Sequence, residues 1–152
     1  MKIHNISFLL LLSFFIGTSQ NPVENEVKNK INDFFEAFHQ QDTTALKSYV
    51  SDAIVMQTVV SSENGESELR TQEFGKFLKS IASIPSENNF KEELLDCNVK
   101  IDGAMAHAWT PYKFWYNGKL SHCGVNSFQL IKEVDTWKII YVVDTRRKTG
   151  CE

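Results

Sequence analysis

Two long runs near the C-terminus have strand-like composition, and they constrain the fold more than any other part of the chain. They cover about 119–132 and 136–146, and Val134 and Asp135 separate them at hairpin spacing. Side chains alternate between the two faces of a strand, so His122, Asn126 and Phe128 share one face of the first run. Polar residues set at this spacing in an apolar hairpin predict that the face lines a pocket.

A regular two-residue turn predicts which residues of the second run join this face. It pairs the strands as Phe128 with Tyr141, Asn126 with Val143, Gly124 with Thr145 and His122 with Arg147. The surface would be apolar near the turn and polar at its other end. Trp109 joins it if the preceding hairpin at Asn117 and Gly118 is regular and Pro111 causes no bulge. The predicted ligand-binding residues are Trp109, Asn126, Tyr141, Thr145 and Arg147.

The remaining segments predict an α+β fold. Apolar residues at helical spacing indicate helices over 22–40 and 74–82, and Asp42 can cap a short helix between them. A strand over 53–60 and a short polar strand ending at Arg70 precede the second long helix. Strands over about 90–102 and 104–116 then lead into the two C-terminal runs. This order ends in a four-stranded meander rather than in βαβ units.

The strings HCGVNSFQL, WKI and DTRRKTGC resemble the SnoaL-like and lumazine-binding families of the nuclear transport factor 2-like superfamily. The resemblance extends over roughly everything after residue 22 and is sharpest at 106–151. It implies a cystatin-like, cone-shaped α+β barrel, in which a bent antiparallel sheet wraps around the N-terminal helices and a ligand cavity. The superfamily includes isomerases, hydrolases, dehydratases and transport adaptors, so the fold alone does not specify a function.

Residues 1–19 predict a secretory signal peptide. Lys2 is followed by an apolar core over 6–16 and by the small residues Gly17, Thr18 and Ser19. An uncleaved membrane anchor is the alternative, although the core is shorter than the ~20 residues that span a bilayer. Residues 20–152 are then long enough for a single domain. The mature protein is expected to be secreted or periplasmic, without membrane association.

Charge and motif content argue against several classes of partner. The formal net charge is −3, and the only basic cluster is Arg146, Arg147 and Lys148 near the terminus, so nucleic acid is not an expected partner. The chain has no Cys-x-x-Cys or His-Glu-x-x-His motif. No metal and no other cofactor is therefore expected.

Three cysteines in an exported chain predict one disulfide and one free thiol. Cys97 and Cys123 are expected on strands separated by a third, about 9 to 10 Å apart and beyond the ~7 Å limit for a bridge. Cys151 follows the strand that pairs with the one carrying Cys123. We therefore expect a disulfide between Cys123 and Cys151.

Both faces of the last three strands carry apolar residues. The set expected to face away from the helices is Tyr112, Phe114, Tyr116, Val125, Ile131, Ile140 and Val142. A second subunit covering this face is the simplest explanation, because monomers rarely expose so large an apolar patch. The expected assembly is a homodimer.

Three functions are compatible with these features. The leading one is binding of a small, flat, aromatic or anionic molecule between helices and sheet. The second is an isomerase, dehydratase or hydrolase in which His122 is the catalytic acid or base, with Asn126 and Arg147 stabilising an oxyanion. The third is a protein-interaction module that uses the apolar outer face. Asp52 is the carboxylate considered for a base, and a capping role is expected for it instead.

Overall fold

A computed structural model describes residues 22–61 and 65–151. The predicted signal peptide at 1–19 lies outside the described residues. The elements, in chain order, are α1 (Pro22–His39), α2 (Thr43–Tyr49), β1 (Val50–Ser61), β2 (Ser67–Gln72), α3 (Phe74–Ala82), β3 (Phe90–Leu94), β4 (Asn98–Asp102), β5 (Met105–Tyr116), β6 (Lys119–Glu133) and β7 (Thr136–Arg146). This order confirms the predicted α+β class. None of the helices described is both long and apolar enough to cross a membrane.

The strands form one bent sheet in the order β2-β1-β7-β6-β5-β3, and β4 also pairs with β5. All neighbours are antiparallel except β1 and β7, which run parallel. Within the described residues the outer strands do not pair with each other, so the sheet is open rather than a closed barrel. The helices pack on its concave face, where Val27 and Ile31 of α1 and Leu46 of α2 are completely buried.

The expected strand over 90–102 is two strands. β3 ends at Leu94 opposite Tyr112, and β4 begins at Asn98 opposite Trp109. Pro111 of β5 lies between these two pairs and has no N–H to donate, although its carbonyl oxygen accepts a hydrogen bond from the Leu95 N–H (2.8 Å). The interruption places Cys97 between strands rather than on one.

Side-chain hydrogen bonds cap the start of α2 and connect it to the end of α3. The Asp42 carboxylate caps α2 by accepting hydrogen bonds from the backbone N–H groups of Thr44 (3.0 Å) and Ala45 (2.9 Å). The neighbouring Gln41 side chain donates to the carbonyl oxygens of Ile81 (2.6 Å) and Ile84 (2.9 Å) at the end of α3. These bonds hold α3 near the start of α2.

A disulfide joins Cys123 of β6 to Cys151, with the two Cα atoms 5.6 Å apart. Cys97 is a free, half-buried thiol. The C-terminal segment is therefore connected to the middle of the sheet.

Candidate functional site

Two β-bulges determine which side chains face the helices. Phe114 pairs with His122 but Trp115 pairs with Leu120, so Ser121 is an extra residue in β6. Similarly, Leu130 pairs with Ile139 but Gln129 pairs with Tyr141, which makes Ile140 an extra residue in β7. Each bulge shifts the register by one residue and therefore exchanges the two faces of the strand beyond it.

The predicted register is therefore wrong beyond each bulge. His122, Asn126 and Phe128 line a cavity beneath the helices, as expected from their alternation. Four predicted ligand-binding residues, Trp109, Tyr141, Thr145 and Arg147, are not among the residues that line it. Pairing places them in rows with outward-facing residues, for example Trp109 opposite Ser127 and Tyr141 opposite Gln129.

Each of these four residues has a different environment from the one predicted. Trp109 is 49% exposed on the convex face. The Tyr141 hydroxyl donates to Oε1 of Gln57 (2.6 Å), and the Thr145 hydroxyl oxygen accepts a hydrogen bond from the Val125 N–H (3.1 Å). Arg147 is exposed, pairs with Cys123 rather than with His122, and donates to the Gly150 carbonyl oxygen (3.1 Å).

The cavity lies between α1, α3 and the concave face of the sheet and has a volume of about 260 Å³. Six phenylalanine rings form the apolar part of its wall: Phe34, Phe35, Phe38, Phe77, Phe114 and Phe128. The Phe38 and Phe77 rings stack with centroids 5.9 Å apart, and Phe35 meets Phe128 edge to face at 5.9 Å. Such packing fixes the shape of the apolar wall.

Asp144 is the centre of a hydrogen-bonded cluster at the polar end of the cavity. It accepts hydrogen bonds from the hydroxyls of Thr58 (2.5 Å) and Tyr112 (3.2 Å) and from Nε of Arg146 (2.8 Å). The Arg146 charge is therefore compensated by a carboxylate of the same strand.

Gly124 provides the space that this cluster needs. A Cβ atom at this position would lie 1.8 Å from the Thr145 carbonyl oxygen and 2.9 Å from a Tyr112 ring carbon. Without one, the Tyr112 hydroxyl can share its single proton between this carbonyl oxygen (2.9 Å) and the Asp144 carboxylate (3.2 Å). Burial, followed by the negative charge of Asp144, raises the pKa of Tyr112, so its hydroxyl stays a neutral donor.

Glu92 of β3 places a second carboxyl group in the cavity wall. Its Oε1 accepts a hydrogen bond from Nδ2 of Asn126 (2.7 Å), and its backbone N–H donates to Nε2 of His39 (2.8 Å). Burial raises the pKa of Glu92 to about 7; the Asn126 hydrogen bond opposes this rise, and repulsion from Asp144 adds to it. The two carboxyl groups therefore differ in their hydrogen-bond partners: Asp144 is paired with the cationic Arg146, whereas Glu92 is bonded to the neutral amide of Asn126.

His122 contributes a mainly apolar surface to the cavity. Its ring stacks on Phe114 with centroids 4.8 Å apart and meets Tyr112 edge-on at 5.8 Å. Its Nδ1 lies 3.2 Å from the Ser121 hydroxyl oxygen. Burial and the nearby Arg146 charge lower the pKa of His122, which favours the neutral imidazole at pH 7.

Sequence reasoning missed Glu92, Tyr112, Asp144 and Arg146. A signal for Glu92 was present, because it alternates with Phe90 and Leu94 and so shares their face of β3. Asp144 and Arg146 had no such signal, since the bulge at Ile140 exchanges the faces of their strand. Asp52, the carboxylate considered from the sequence, is exposed and lies outside the cavity wall.

The sequence matches the SnoaL-like domain family over residues 27–143. The chain belongs to this family. This match confirms the SnoaL-like resemblance seen in the sequence and is consistent with the nuclear transport factor 2-like superfamily. A comparison with curated proteins gave no match.

Solved structures show the same fold at low sequence identity. A candidate dehydratase of the nuclear transport factor 2-like family from Streptomyces avermitilis has a TM-score of 0.62 and 20% identity, covering 82% of this chain and 96% of its own. The β subunit of a candidate aromatic-ring-hydroxylating dioxygenase from Novosphingobium aromaticivorans has a TM-score of 0.67 and 7% identity, with 83% and 90% covered. A cystatin-like protein of unknown function from Nostoc punctiforme has a TM-score of 0.63 and 8% identity, with 83% and 92% covered. These likenesses confirm the predicted cystatin-like architecture.

Proposed function

We propose that this SnoaL-like domain binds a small, flat, largely apolar molecule in the cavity between α1, α3 and the sheet. The observation that carries the proposal is a wall of six phenylalanine rings around one cluster of polar groups. Ligand sites are typically apolar pockets with a few convergent polar groups. A volume of about 260 Å³ lies just below the ~300–1,000 Å³ of drug-sized sites, which favours a ligand of one or two rings.

The geometry supports the aromatic part of the expected ligand better than the anionic part. The anionic ligand expected from the sequence required Arg147 in the cavity, but Arg147 faces away from it. Arg146 faces the cavity but is already paired with Asp144 (2.8 Å). An anionic ligand would therefore meet a guanidinium whose positive charge Asp144 already compensates.

The probe 2-naphthylmethanol, a neutral bicyclic molecule, tests this function by isothermal titration calorimetry. We expect saturable binding, with a roughly tenfold loss in the variant Ser80→Trp, because Ser80 is an exposed residue of α3 that lines the cavity. Lys79→Trp is the matched control, since Lys79 lies on the same helix outside the cavity wall. Failure of the wild type to bind the probe, together with no co-purifying small molecule in native mass spectrometry, would contradict the proposal.

Acid–base catalysis is the second candidate, and the pKa of Glu92, about 7, favours it. General acids and bases work best when their pKa lies near the working pH. In this case Glu92 is the catalytic acid or base, the role that the sequence suggested for His122. His122 lines the same cavity and could act as a second proton donor or acceptor. Turnover of an identified ligand that falls more than affinity does in Glu92→Gln or His122→Gln would favour this function.

We also propose that the protein is exported and forms a homodimer. Export is supported by the leader-like composition of residues 1–19 and by the bond between Cys123 and Cys151. Dimer formation is supported by exposed apolar side chains on the convex sheet face, which include Met105, Trp109 and Ile131. The same face would be the docking surface if the domain instead acted as a protein-interaction module.

A further inference from the structure

The charged groups that line the cavity do not cancel when Glu92 is ionised. Two carboxylates, Glu92 and Asp144, then face one guanidinium, Arg146. Arg146 donates its Nε hydrogen bond to Asp144, whereas Glu92 receives its hydrogen bond from the neutral amide of Asn126. The formal charge of the lining is therefore −1 above the pKa of Glu92, which favours a cation over an anion.

One oxygen of Glu92 is available to a ligand. Asn126 occupies Oε1, and no hydrogen bond to Oε2 comes from the described residues. Within those residues no buried side-chain oxygen lacks a partner, so Oε2 is accessible rather than sealed in the wall. An N–H group in the cavity could donate to Oε2 and form the charge-assisted bond that the protein itself does not supply.

The aromatic wall suits the apolar body of such a ligand. The Phe38, Phe77 and Phe114 rings line the same cavity as Glu92. Phe38 and Phe77 stack on each other and Phe114 stacks on His122, so these rings offer the ligand a rigid apolar surface. A protonated amine on a flat apolar body would thus meet the rings with its body and a carboxylate with its nitrogen.

We propose that the ligand of this cavity is an organic amine that binds as a cation, with Glu92 accepting a hydrogen bond from its ammonium group. This inference rests on the proposed small-molecule function and specifies the charge of the ligand. It replaces the anionic ligand expected from the sequence.

The proposal predicts a particular pH dependence. The titratable or charged groups near Glu92 are His39 on α1, Tyr112 on β5, His122 on β6, and Asp144 and Arg146 on β7. Burial lowers the pKa of both histidines below 6.5 and raises that of Tyr112, so all three stay neutral between pH 7 and 8. Amine affinity should therefore rise with pH through about 7, as Glu92 ionises.

Three naphthalene probes with the same body test this inference by calorimetry: 2-naphthylmethylamine, 2-naphthylmethanol and 2-naphthoate. At pH 8 we expect the amine to bind at least about tenfold more tightly than the alcohol, and the carboxylate to bind most weakly. At pH 6 the preference for the amine should shrink to about two- to threefold. This wild-type comparison examines Glu92 without any substitution.

The variant Glu92→Gln should bind the amine and the alcohol equally at pH 8. Glu93→Gln is the control, because Glu93 lies next to it on β3, accepts a hydrogen bond from Nε1 of Trp115 (2.9 Å) and does not line the cavity. Equal binding of amine and alcohol by the wild type at pH 8, or an amine preference that survives Glu92→Gln, would overturn the inference and leave the proposed function intact. Failure of all three probes to bind would overturn the inference, and the absence of any co-purifying small molecule as well would overturn the proposed function.

Discussion

At the scale of single residues, the Glu92 carboxyl group is held in the cavity wall at an energetic cost to its ionised form. Burial disfavours its ionised form, and the hydrogen bond from Asn126 compensates for only part of that loss. In the unfolded chain the same group would have a pKa near 4.5. The folded protein therefore binds a proton more tightly than the unfolded chain does at this residue, and its stability should decrease as pH rises from about 4.5 through about 7.

Glu92→Gln should remove this pH dependence. A pKa that rises from 4.5 to about 7 corresponds to about 3 kcal/mol of stability, present in full below pH 4.5 and lost above pH 7. Urea denaturation at pH 5, 6, 7 and 8 measures the free energy of unfolding of the wild type and of the variant. We expect the variant to gain stability relative to the wild type as pH rises. A constant difference across this range would contradict the assignment of the pKa to Glu92.

At the scale of secondary structure elements, the β-bulges at Ser121 and Ile140 and the disulfide shape the polar end of the cavity. The bulges turn Tyr112, Asp144 and Arg146 toward the helices. The disulfide then joins the segment that follows β7 back to Cys123, which lies between two cavity-lining residues of β6. Loss of this bond should loosen the end of β7 that carries Arg146.

Cys151→Ser tests the contribution of the disulfide. The bond closes a loop with a sequence separation of 28, which should contribute roughly 3 to 4 kcal/mol in the chain-entropy model. We expect the variant to lose about this free energy of unfolding under non-reducing conditions. Cys97→Ser is the matched control and should cost about 1 kcal/mol or less, because Cys97 is free and half-buried. Peptide mapping of exported protein that finds Cys97 bridged, or all thiols free, would contradict the assignment.

At the scale of the whole molecule, the convex face of the sheet differs from the face predicted. Tyr112, Phe114 and Val142, which were expected to face outward, line the cavity instead. The exposed apolar set of the two central hairpins includes Met105 (55%), Trp109 (49%) and Ile131 (38%). A second subunit remains the simplest cover for the convex face, because that face is still apolar, although with different residues.

Light scattering at micromolar concentration should give twice the mass of the mature chain. Trp109→Lys should shift the protein toward monomer, because it places a charge in the middle of the proposed interface. Val134→Lys is the control, since Val134 is 94% exposed at the β6–β7 turn, away from the face. A monomeric wild type would show that the convex face is not a dimer interface.

The sequence by itself determined the order, type and approximate bounds of the elements, except that the strand expected over 90–102 is divided into β3 and β4. Helical spacing in Val27, Ile31, Phe34, Phe35 and Phe38 and the turn at Asn117 and Gly118 are local properties, and both are present in the structure. The same holds for His122, Asn126 and Phe128, which share a face because no bulge lies between them. Alternation within one uninterrupted strand is therefore a dependable guide to a shared face.

Only the tertiary structure decided which residues of the neighbouring strands share the cavity face with His122, Asn126 and Phe128. The extra residue Ser121 places Tyr112 on the cavity face and Trp109 on the convex face. The extra residue Ile140 likewise places Arg146 on the cavity face instead of Arg147. A bulge has no strong local sequence signal, because the extra residue is defined only by the pairing of two strands. The charge of the cavity depends on these exchanges and on Glu92 from a strand distant in sequence. It could not be predicted from the pattern of any single segment.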